Sequence, residues 1–337
     1  MDTGDLLLAL DFGGTKLSAA LVNRAALRSG RPRWADLRRE WTPADADAAY
    51  ELAAMTRMAS EVLAGRAPAA VGVSFGGPVD YATGIVRLSH HVRGWENFPL
   101  RERLAAEFGA PAVVDNDANV AALGEHRFGA GRGVDDLLYV TVSTGVGGGW
   151  VLGGRVWRGH AGMAGEIGHT IVDLDGPLCL CGNRGCVERL ASGPYMAADY
   201  ELVKGRKGAG ERGNNDDRPQ ATDHSPPASR RPSSDGRRPL TGRDVAEAAA
   251  GGDELAADIL LRGARALGTG IGNAANLINP RLFILGGGVT KSGETWWAEV
   301  RRAARAAALP EVHFDIIPAE LGDDAPLWGA VALAEED

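Results

Sequence analysis

The three cysteines of this chain lie within eight residues, at Cys179, Cys181 and Cys186, and His169 lies ten residues before the first of them. An odd number of thiols cannot all pair as disulfides. Three thiolates and one imidazole suit a closed tetrahedral zinc site. The alternative is three reduced thiols in the core, because free cysteine is among the most buried residue types. Buried thiols seldom crowd into a glycine-rich loop, so the spacing favours a metal.

Two carboxylates bracket this cysteine cluster. Glu166 lies three residues before His169, and Glu188 lies two residues after Cys186. Ionised carboxylates accept hydrogen bonds from hydroxyl groups. The same segment is therefore predicted to bind a polar, hydroxyl-bearing ligand as well as a metal.

Two glycine-rich turns are candidates for phosphate binding. One spans residues 11–16 (DFGGTK) and the other residues 143–149 (STGVGGG), and each follows an apolar run. Glycine lets backbone N–H groups approach phosphate oxygens closely, and an aspartate at a strand end can reach a Mg²⁺ ion. Each turn alone also fits a plain hairpin. Two such turns at the head of two similar halves favour a shared nucleotide site.

The glycine-rich segments that follow apolar runs do not match the common nucleotide-binding motifs. The pattern GxxxxGK[ST] does not occur, since the only lysine followed by serine or threonine is Lys291, and threonine precedes it. The pattern GxGxxG fails at Gly145 and at Gly286, because Trp150 and Lys291 occupy the sixth positions. The sequence therefore holds no P-loop motif, and neither of these two turns matches the Rossmann dinucleotide motif.

A candidate catalytic group lies in segment 113–119 (VVDNDAN), where a predicted strand leads into a predicted helix. The α/β sheets of proteins bind ligands at such strand ends. Asn116 can donate to and accept from hydroxyls. Asp117 can accept the proton of an attacking hydroxyl, as a positioned carboxylate does in phosphoryl transfer. The alternative is that Asp115 or Asp117 only caps the helix.

The hydrophobic pattern predicts the elements that must position these residues. Apolar runs predict strands over 6–12, 16–22, 70–75, 111–114, 137–143, 150–152, 281–285 and 313–318. Helical spacing predicts helices over 45–64, 99–108, 117–128, 241–250, 254–277, 296–308 and from 328 onward. Strands that alternate with helices indicate an α/β fold.

We expect two lobes and one insertion. Residues 1–120 would form an N-terminal α/β lobe with the first phosphate turn and Asp117, and residues 121–337 a C-terminal α/β lobe with the second turn and the cysteine cluster. Residues 204–240 carry almost no aliphatic side chains. They bury too little apolar surface to offset their ordering entropy, so we predict a disordered insertion. Its basic excess would suit an anionic partner, but a solvated surface segment is favoured.

Composition narrows the class of protein. The 337 residues include 45% hydrophobic and 24% charged side chains, which are ordinary globular values. A net charge of −8 argues against a nucleic-acid binder. The N-terminus is acidic where a signal peptide is basic, and no apolar run approaches the length of a membrane span. A thiolate metal site suits a reducing compartment, so we expect a cytoplasmic protein without nucleic-acid or membrane partners.

Five motifs together resemble the ROK family, which is named after repressors, open reading frames and sugar kinases. They are DFGGTK at 11–16, DNDAN at 115–119, STGVGGG at 143–149, EIGH at 166–169 and CLCGNRGCVE at 179–188. Each motif alone is modestly specific, whereas the set in this order is highly specific. Apart from residues 204–240, the resemblance covers nearly the whole chain.

The resemblance implies an actin-like ATPase fold of two ribonuclease-H-like lobes around a central cleft that closes over ATP and a hexose. It also implies transfer of the γ-phosphoryl group to the sugar 6-hydroxyl, with Asp117 as the general base. The family's sugar-binding positions match Gly77, His90, Asn116, Asp117, Glu166, His169 and Glu188.

The resemblance further implies ATP, Mg²⁺ and Zn²⁺ as the bound groups and a homo-oligomer, commonly a dimer. The zinc ligands would be His169, Cys179, Cys181 and Cys186, with the second ring nitrogen of His169 touching the sugar. The nucleotide-binding positions match Asp11, Gly13, Gly14, Thr15, Lys16, Thr144, Gly145, Gly147, Gly287 and Gly288.

Segments 76–80 and 94–98 look most like those of glucokinase-type family members, so glucose is the expected substrate. N-acetylglucosamine, N-acetylmannosamine and other hexoses are alternatives. A sugar-responsive transcriptional repressor of the same family is an alternative of another class, but the first motif at Asp11 leaves no room for a preceding helix-turn-helix domain. A non-catalytic sugar sensor is a third possibility.

Overall fold

The computed structural model describes residues 5–28, 33–89, 92–208 and 238–336. Backbone contacts divide the chain into two compact units. Unit 1 comprises Met1–Tyr139, Gly149–Gly165 and Ala319–Asp337, and unit 2 comprises Val140–Gly148 and Glu166–Pro318. This division differs from the predicted boundary after residue 120, because the C-terminal helix packs on the sheet of unit 1.

The strands in the described ranges are numbered in chain order. They are β1 (Leu6–Phe12), β2 (Lys16–Asn23), β3 (Asp36–Trp41), β4 (Ala70–Phe75), β5 (Val79–Asp80), β6 (Ile85–Val86), β7 (Ala112–Asn116), β8 (Leu137–Val142), β9 (Val146–Leu152), β10 (Arg155–Trp157), β11 (Leu282–Gly286) and β12 (Asp315–Pro318).

The α-helices of the same ranges are numbered likewise. They are α1 (Arg24–Arg28), α2 (Ala48–Leu63), α3 (Leu100–Phe108), α4 (Asp117–Phe128), α5 (Val187–Ala191), α6 (Gly193–Gly208), α7 (Gly242–Ala250), α8 (Glu254–Ile278), α9 (Glu294–Ala307) and α10 (Ala325–Glu335). Short 3-10 helices lie at Ile167–His169, Gly288–Lys291 and Gly322–Asp324.

The first sheet has the strand order β3-β2-β1-β4-β7. β1 pairs antiparallel with β2 and parallel with β4, and β4 pairs parallel with β7. Every residue of β1 is buried. Leu6, Leu8 and Leu10 pack in one hydrophobic cluster with α2 and α3, whereas Leu7 and Ala9 pack in another with α4 and α10. The alternation of side chains along a strand therefore supplies two cores, one on each face.

Close backbone packing fixes the helix that carries the predicted base. A Cβ added to Gly124 of α4 would lie 2.4 Å from the carbonyl oxygen of Ala325, and one added to Gly329 of α10 would lie 1.7 Å from that of Val120. Only glycine permits such approaches. The two helices thus pack backbone to backbone over the first sheet.

The second sheet has the strand order β10-β9-β8-β11-β12. The β8–β9 hairpin therefore occupies the place in this sheet that the β1–β2 hairpin occupies in the first. Both halves of the chain use one sheet order, as the repeated pattern of strand, glycine turn and strand in the sequence suggested. In unit 2, α8 packs against α5, α6, α7 and α9.

Several elements differ from the sequence prediction. β9 begins at Val146 and not at residue 150, because Gly149 lets the strand pass close to α4, where a Cβ would lie 2.3 Å from the carbonyl oxygen of Ala118. The last helix begins at Ala325, since proline at its first turn favours helix initiation. β3 was not predicted because its sequence, DLRREW, is mostly charged and partly exposed.

Helix α6 was also missed, although Met196, Ala197 and Tyr200 are buried at helical spacing. The helix continues to Gly208 and so includes the start of the predicted insertion 204–240. Of that insertion, residues 209–237 lie outside the described residues. In the part of the chain that the structure describes, no helix is long and apolar enough to cross a membrane.

Candidate active site

Asp11 lies at the carboxyl end of β1, beside the ends of two parallel neighbours. The strand register places Asp11 opposite Ser74 of β4, and Ser74 opposite Asp115 of β7. The Ser74 hydroxyl donates a 2.8 Å hydrogen bond to Oδ1 of Asp11. Burial raises the pKa of Asp11 to about 6, against the lowering effects of Ser74 and Lys16. Desolvation destabilises the ionised form of Asp11, and a bound cation would stabilise that form.

The first phosphate turn meets the turn after β4. The N–H of Gly76 donates a 3.0 Å hydrogen bond to the carbonyl oxygen of Phe12. A Cβ added to Gly76 would lie 3.6 Å from the backbone nitrogen of Gly14 and 3.8 Å from Oδ2 of Asp117. The predicted base and the glycine turn of β1–β2 therefore lie on either side of Gly76, within unit 1.

The sequence offered Asp115 or Asp117 as the cap of this helix, but the structure caps it with a different residue. Asn116 is the N-cap of α4, and its Oδ1 accepts from the N–H groups of Ala118 and Asn119 at 3.0 and 3.4 Å. Asp117 is the first helical residue, and its Oδ1 accepts from the N–H of Ala118 at 2.8 Å. The N-cap of α4 is therefore the amide of Asn116 and not the carboxylate of Asp117.

Asn116 also contacts the loop that the sequence assigned to the sugar. Its Nδ2 donates a 3.1 Å hydrogen bond to the carbonyl oxygen of Gly77. Gly77 itself packs closely, since a Cβ there would lie 2.6 Å from the carbonyl oxygen of Leu88. His90 lies outside the described residues, so its predicted sugar contact stays a prediction.

An ion pair that sequence reasoning missed lies under the catalytic segment. Nε of Arg158 donates a 2.7 Å hydrogen bond to Oδ2 of Asp115, and its guanidinium stacks 3.5 Å from the ring centroid of Tyr81. Asp115 also accepts from Nδ2 of Asn119 at 3.2 Å. Burial raises the pKa of Asp115, and the charge of Arg158 opposes that rise. The only sequence signal was an arginine directly after an apolar edge strand.

The second phosphate turn lies at the carboxyl end of β8. Ser143 donates its N–H to the carbonyl oxygen of Gly145 at 2.8 Å, which closes the turn and leaves Ser143 and Thr144 exposed. The turn at Gly287 packs on the same strand, since a Cβ there would lie 2.4 Å from the carbonyl oxygen of Val142. Gly287 has φ +90°, which favours glycine. Two of the predicted nucleotide segments are thus adjacent in unit 2, with Gly147 following in β9.

The residues predicted to bind sugar in unit 2 lie on two short helices. Glu166 precedes the 3-10 helix Ile167–His169, and Glu188 lies in the first turn of α5. The two helices are tied together by a 3.0 Å hydrogen bond from the N–H of Val187 to the carbonyl oxygen of Thr170. Glu166 is exposed, whereas His169 and Glu188 are half-buried.

The predicted zinc ligands come together. One ligand atom from each of His169, Cys179, Cys181 and Cys186 lies within 4.8 Å of all the others. Nδ1 of His169 is 4.0 Å from Sγ of Cys179, and the Sγ atoms of Cys181 and Cys186 are 3.5 Å apart. Zn–S bonds of ~2.3 Å in a tetrahedron separate ligand atoms by ~3.8 Å, so the four residues fit zinc.

Burial raises the pKa of the Cys179 and Cys186 thiols. Without a cation these two thiols would stay protonated, and metal binding would release their protons. The donor set is therefore suited to a metal and poorly suited to a free thiolate.

Two sheets of the same strand order, each opening with a hairpin whose turn is rich in glycine, define an α/β protein of the actin-like ATPase fold. The sequence profile of the ROK family matches residues 7–337. The chain belongs to the ROK family.

The chain is similar to several curated kinases. The glucokinase of Halalkalibacterium halodurans is 37% identical over 274 residues, which cover 79% of this chain and 76% of the relative. The glucokinase of Streptomyces coelicolor is 32% identical over 338 residues, which cover 98% of each chain. The N-acetylmannosamine kinase of Shigella flexneri is 32% identical over 337 residues, again 98% of each.

The fold is similar to solved structures of the same family. A ROK family glucokinase from Streptomyces griseus, in complex with glucose and AMPPNP, is 33% identical, with a TM-score of 0.76 over 98% of this chain and 100% of that one. The ROK hexokinase from Thermus thermophilus is 31% identical, with a TM-score of 0.77 and 98% coverage of both chains.

Proposed function

We propose that this protein is an ATP-dependent hexose kinase that phosphorylates the 6-hydroxyl of glucose. The observation that carries the proposal is the position of Asp117. Its carboxylate lies beside Gly76, next to the glycine turn of β1–β2, at the edge where the carboxyl ends of β1, β4 and β7 meet. A base beside a phosphate-binding turn is the arrangement that phosphoryl transfer needs.

The proposed reaction needs one proton acceptor and precise positioning. Asp117 accepts the proton of the sugar 6-hydroxyl as the oxygen attacks the γ-phosphorus of ATP. The bond between that phosphorus and the β,γ-bridging oxygen breaks, and ADP leaves. Asn116, bonded to Gly77, holds neighbouring sugar hydroxyls, and Glu166, His169 and Glu188 hold others. Positioning and charge neutralisation supply most of the rate in such reactions.

The nucleotide would be held by the two glycine turns. Backbone N–H groups of Gly13, Gly14, Gly145 and Gly147, with the hydroxyls of Thr15 and Thr144, suit phosphate oxygens. The turn at Gly287 and Gly288 would lie against the adenosine. Asp11 and Lys16 complete the set, and Asp11 is the residue that would hold Mg²⁺, which neutralises phosphate charge when it is bound.

The cysteine cluster would hold a structural Zn²⁺ through His169, Cys179, Cys181 and Cys186. It crosslinks the 3-10 helix that follows Glu166 to the start of α5, where Glu188 lies. The metal thereby fixes one wall of the sugar site, and no step of the reaction passes through it. Thiolate ligands persist in a reducing compartment, which supports a cytoplasmic location. We expect a homodimer or higher homo-oligomer on the family resemblance alone.

Glucose is preferred over the other hexoses because glucokinases at 37% and 32% identity are among the relatives. N-acetylmannosamine is the second candidate, since a kinase named for that sugar is 32% identical over 337 residues. The two sugars differ at C2, where N-acetylmannosamine carries an axial acetamido group in place of the equatorial hydroxyl of glucose.

The test is a coupled ADP-release assay over glucose, mannose, N-acetylglucosamine and N-acetylmannosamine, with Asp117→Asn as the matched variant. We expect glucose to give the highest kcat/KM and Asp117→Asn to lower kcat by about 10²–10⁴-fold. The kinase proposal fails if no sugar stimulates ADP release above the variant's background. Sugar binding without turnover would identify a sensor instead.

A further inference from the structure

Glu188 is bonded to the turn assigned to the nucleotide, although its sequence position assigns it to the sugar. Its Oε2 accepts a 2.9 Å hydrogen bond from the N–H of Val146, the first residue of β9. Gly145 lies so close that an added Cβ would be 2.8 Å from the same oxygen. One carboxylate oxygen of Glu188 therefore already accepts a hydrogen bond from the backbone two residues after Thr144.

The backbone of Val146 is also held by the segment that carries Glu166 and His169. A Cβ added to Gly168 would lie 2.0 Å from the carbonyl oxygen of Val146. Only glycine permits this approach. Both sugar-binding segments of unit 2 therefore pack on the same residue of the phosphate hairpin.

A second hydrogen bond holds the turn from the start of α6, which follows α5 after one residue. The N–H of Gly193, the first residue of α6, donates to the carbonyl oxygen of Ser143 at 2.9 Å. The turn is therefore held at Ser143 and at Val146, on both sides of Thr144 and Gly145. A shift of α5 would move the residues that are proposed to contact phosphate.

Given the kinase function proposed above, we infer that Glu188 is a positioning residue for the 143–146 turn and couples hexose binding to nucleotide binding. Its Oε2 fixes the turn through Val146, while Oε1 serves a sugar hydroxyl. An ionised carboxylate has lone pairs enough for both contacts. Sugar binding orders Glu188 and hence the turn, and by linkage the nucleotide favours sugar binding to the same degree.

The decisive variant is Gly145→Ala, which is made in the nucleotide turn and affects the sugar site only through Glu188. Gly145 does not have the positive φ that would strain an alanine, so the backbone accepts the change. The new Cβ displaces Glu188 from Val146. We expect the dissociation constant of glucose, measured by titration calorimetry without nucleotide, to rise about tenfold, as for loss of a charged hydrogen bond.

The control is Gly205→Ala, an exposed glycine of α6 that lies outside every proposed binding segment. Its Cβ would meet nothing within 4 Å, so the nucleotide-free glucose affinity should stay within twofold of wild type. A second measurement compares glucose affinity with and without a non-hydrolysable ATP analogue. In wild type the analogue should tighten glucose binding on the order of tenfold, and in Gly145→Ala this ratio should approach one.

The outcomes separate this inference from the kinase proposal. If wild type binds glucose and Gly145→Ala binds it equally well without nucleotide, Glu188 does not link the sites. If both variants lose glucose affinity to the same extent, the effect is unspecific and the inference also fails. If wild type binds no hexose, the proposed function itself fails. Circular dichroism and thermal melting establish that each variant is folded.

Discussion

At the scale of single residues, the chemistry depends on how neighbouring polar groups divide their tasks. Asn116 satisfies the free N–H groups at the start of α4, so Asp117 does not have to serve as the cap. The sequence left capping and catalysis open for this segment, because both use an aspartate at a helix start. The geometry gives capping to the asparagine and puts Asp117 beside Gly76. One residue of difference in position separates the capping amide of Asn116 from the carboxylate that is proposed as the base.

Asp11 gives a pH-dependent prediction. Burial raises its pKa from 3.8 to about 6 in the absence of bound cation. If Asp11 holds Mg²⁺, kcat/KM for ATP should fall about tenfold per pH unit below 6, because the proton competes with the metal. Asp11→Asn should lower kcat/KM at pH 7.5 and lose this acid limb. A wild-type profile that stays flat from pH 7 to pH 5 would contradict the role.

The same shift predicts an effect on stability. A carboxyl whose pKa is higher in the folded state binds its proton more tightly when folded, so the unfolding free energy falls as pH rises from 3.8 to about 6. Above that range the ionised Asp11 is destabilising. We expect Asp11→Asn to raise the unfolding free energy at pH 7.5 by about 1 kcal/mol, measured by urea denaturation. A loss of stability at that pH would count against the desolvated carboxylate.

At the scale of elements, strands and helices bring together residues distant in sequence. Arg158 follows the edge strand β10, yet its guanidinium pairs with Asp115 at the end of β7. Its side chain is 19% exposed and that of Asp115 is 3% exposed. The pair is therefore nearly buried. Asp115 lies two residues before Asp117 in the chain. The guanidinium of Arg158 thereby places a positive charge beside the buried carboxylate of Asp115.

Arg158→Met tests this ion pair. Removing one partner of a buried pair leaves an uncompensated charge and should lower the unfolding free energy by about 3–5 kcal/mol at pH 8. The pKa of Asp115 should rise further without its arginine, so the variant should be relatively more stable in acid, where the carboxyl is protonated. The double variant Asp115→Asn/Arg158→Met should recover part of the loss. Equal stability of the single and double variants at pH 8 would contradict the pairing.

The cysteine cluster with His169 gives the second prediction at this scale. Metal analysis of the purified protein should find about one zinc per chain, and Cys181→Ser should lower that content. Because the cluster ties the turn after Glu166 to the helix of Glu188, metal loss should raise the dissociation constant of glucose about tenfold before global unfolding sets in. Calorimetry and thermal melting on the same sample check the order of events. A metal-free chain with unchanged glucose affinity would overturn the account.

At the scale of the whole molecule, the two five-stranded sheets have the same strand order. Both begin with a buried strand, a glycine turn and a second strand. Unit 1 carries the residues proposed for catalysis, and unit 2 carries the cysteine cluster and three of the seven proposed sugar contacts, Glu166, His169 and Glu188. The apolar strands and the glycine turns were readable from the sequence because strand periodicity and turn composition are local properties.

The remaining features were not local. β3 is a charged edge strand, which has no apolar pattern to reveal it. The pairing of Arg158 with Asp115 and the bond from Val146 to Glu188 join residues 43 and 42 positions apart. Neither contact has a signature in the sequence, because tertiary packing alone decides which polar groups meet. The motif residues were found, and the contacts that position them were not.

The most direct test of the central claim is to identify the product. Wild-type protein is incubated with ATP and glucose or 6-deoxyglucose, and the products are followed by phosphorus and proton nuclear magnetic resonance. We predict glucose 6-phosphate and an equal amount of ADP from glucose, no sugar phosphate from 6-deoxyglucose, and no product above background with Asp117→Asn. Phosphorylation at another hydroxyl, or turnover by Asp117→Asn at the wild-type rate, would contradict the assignment.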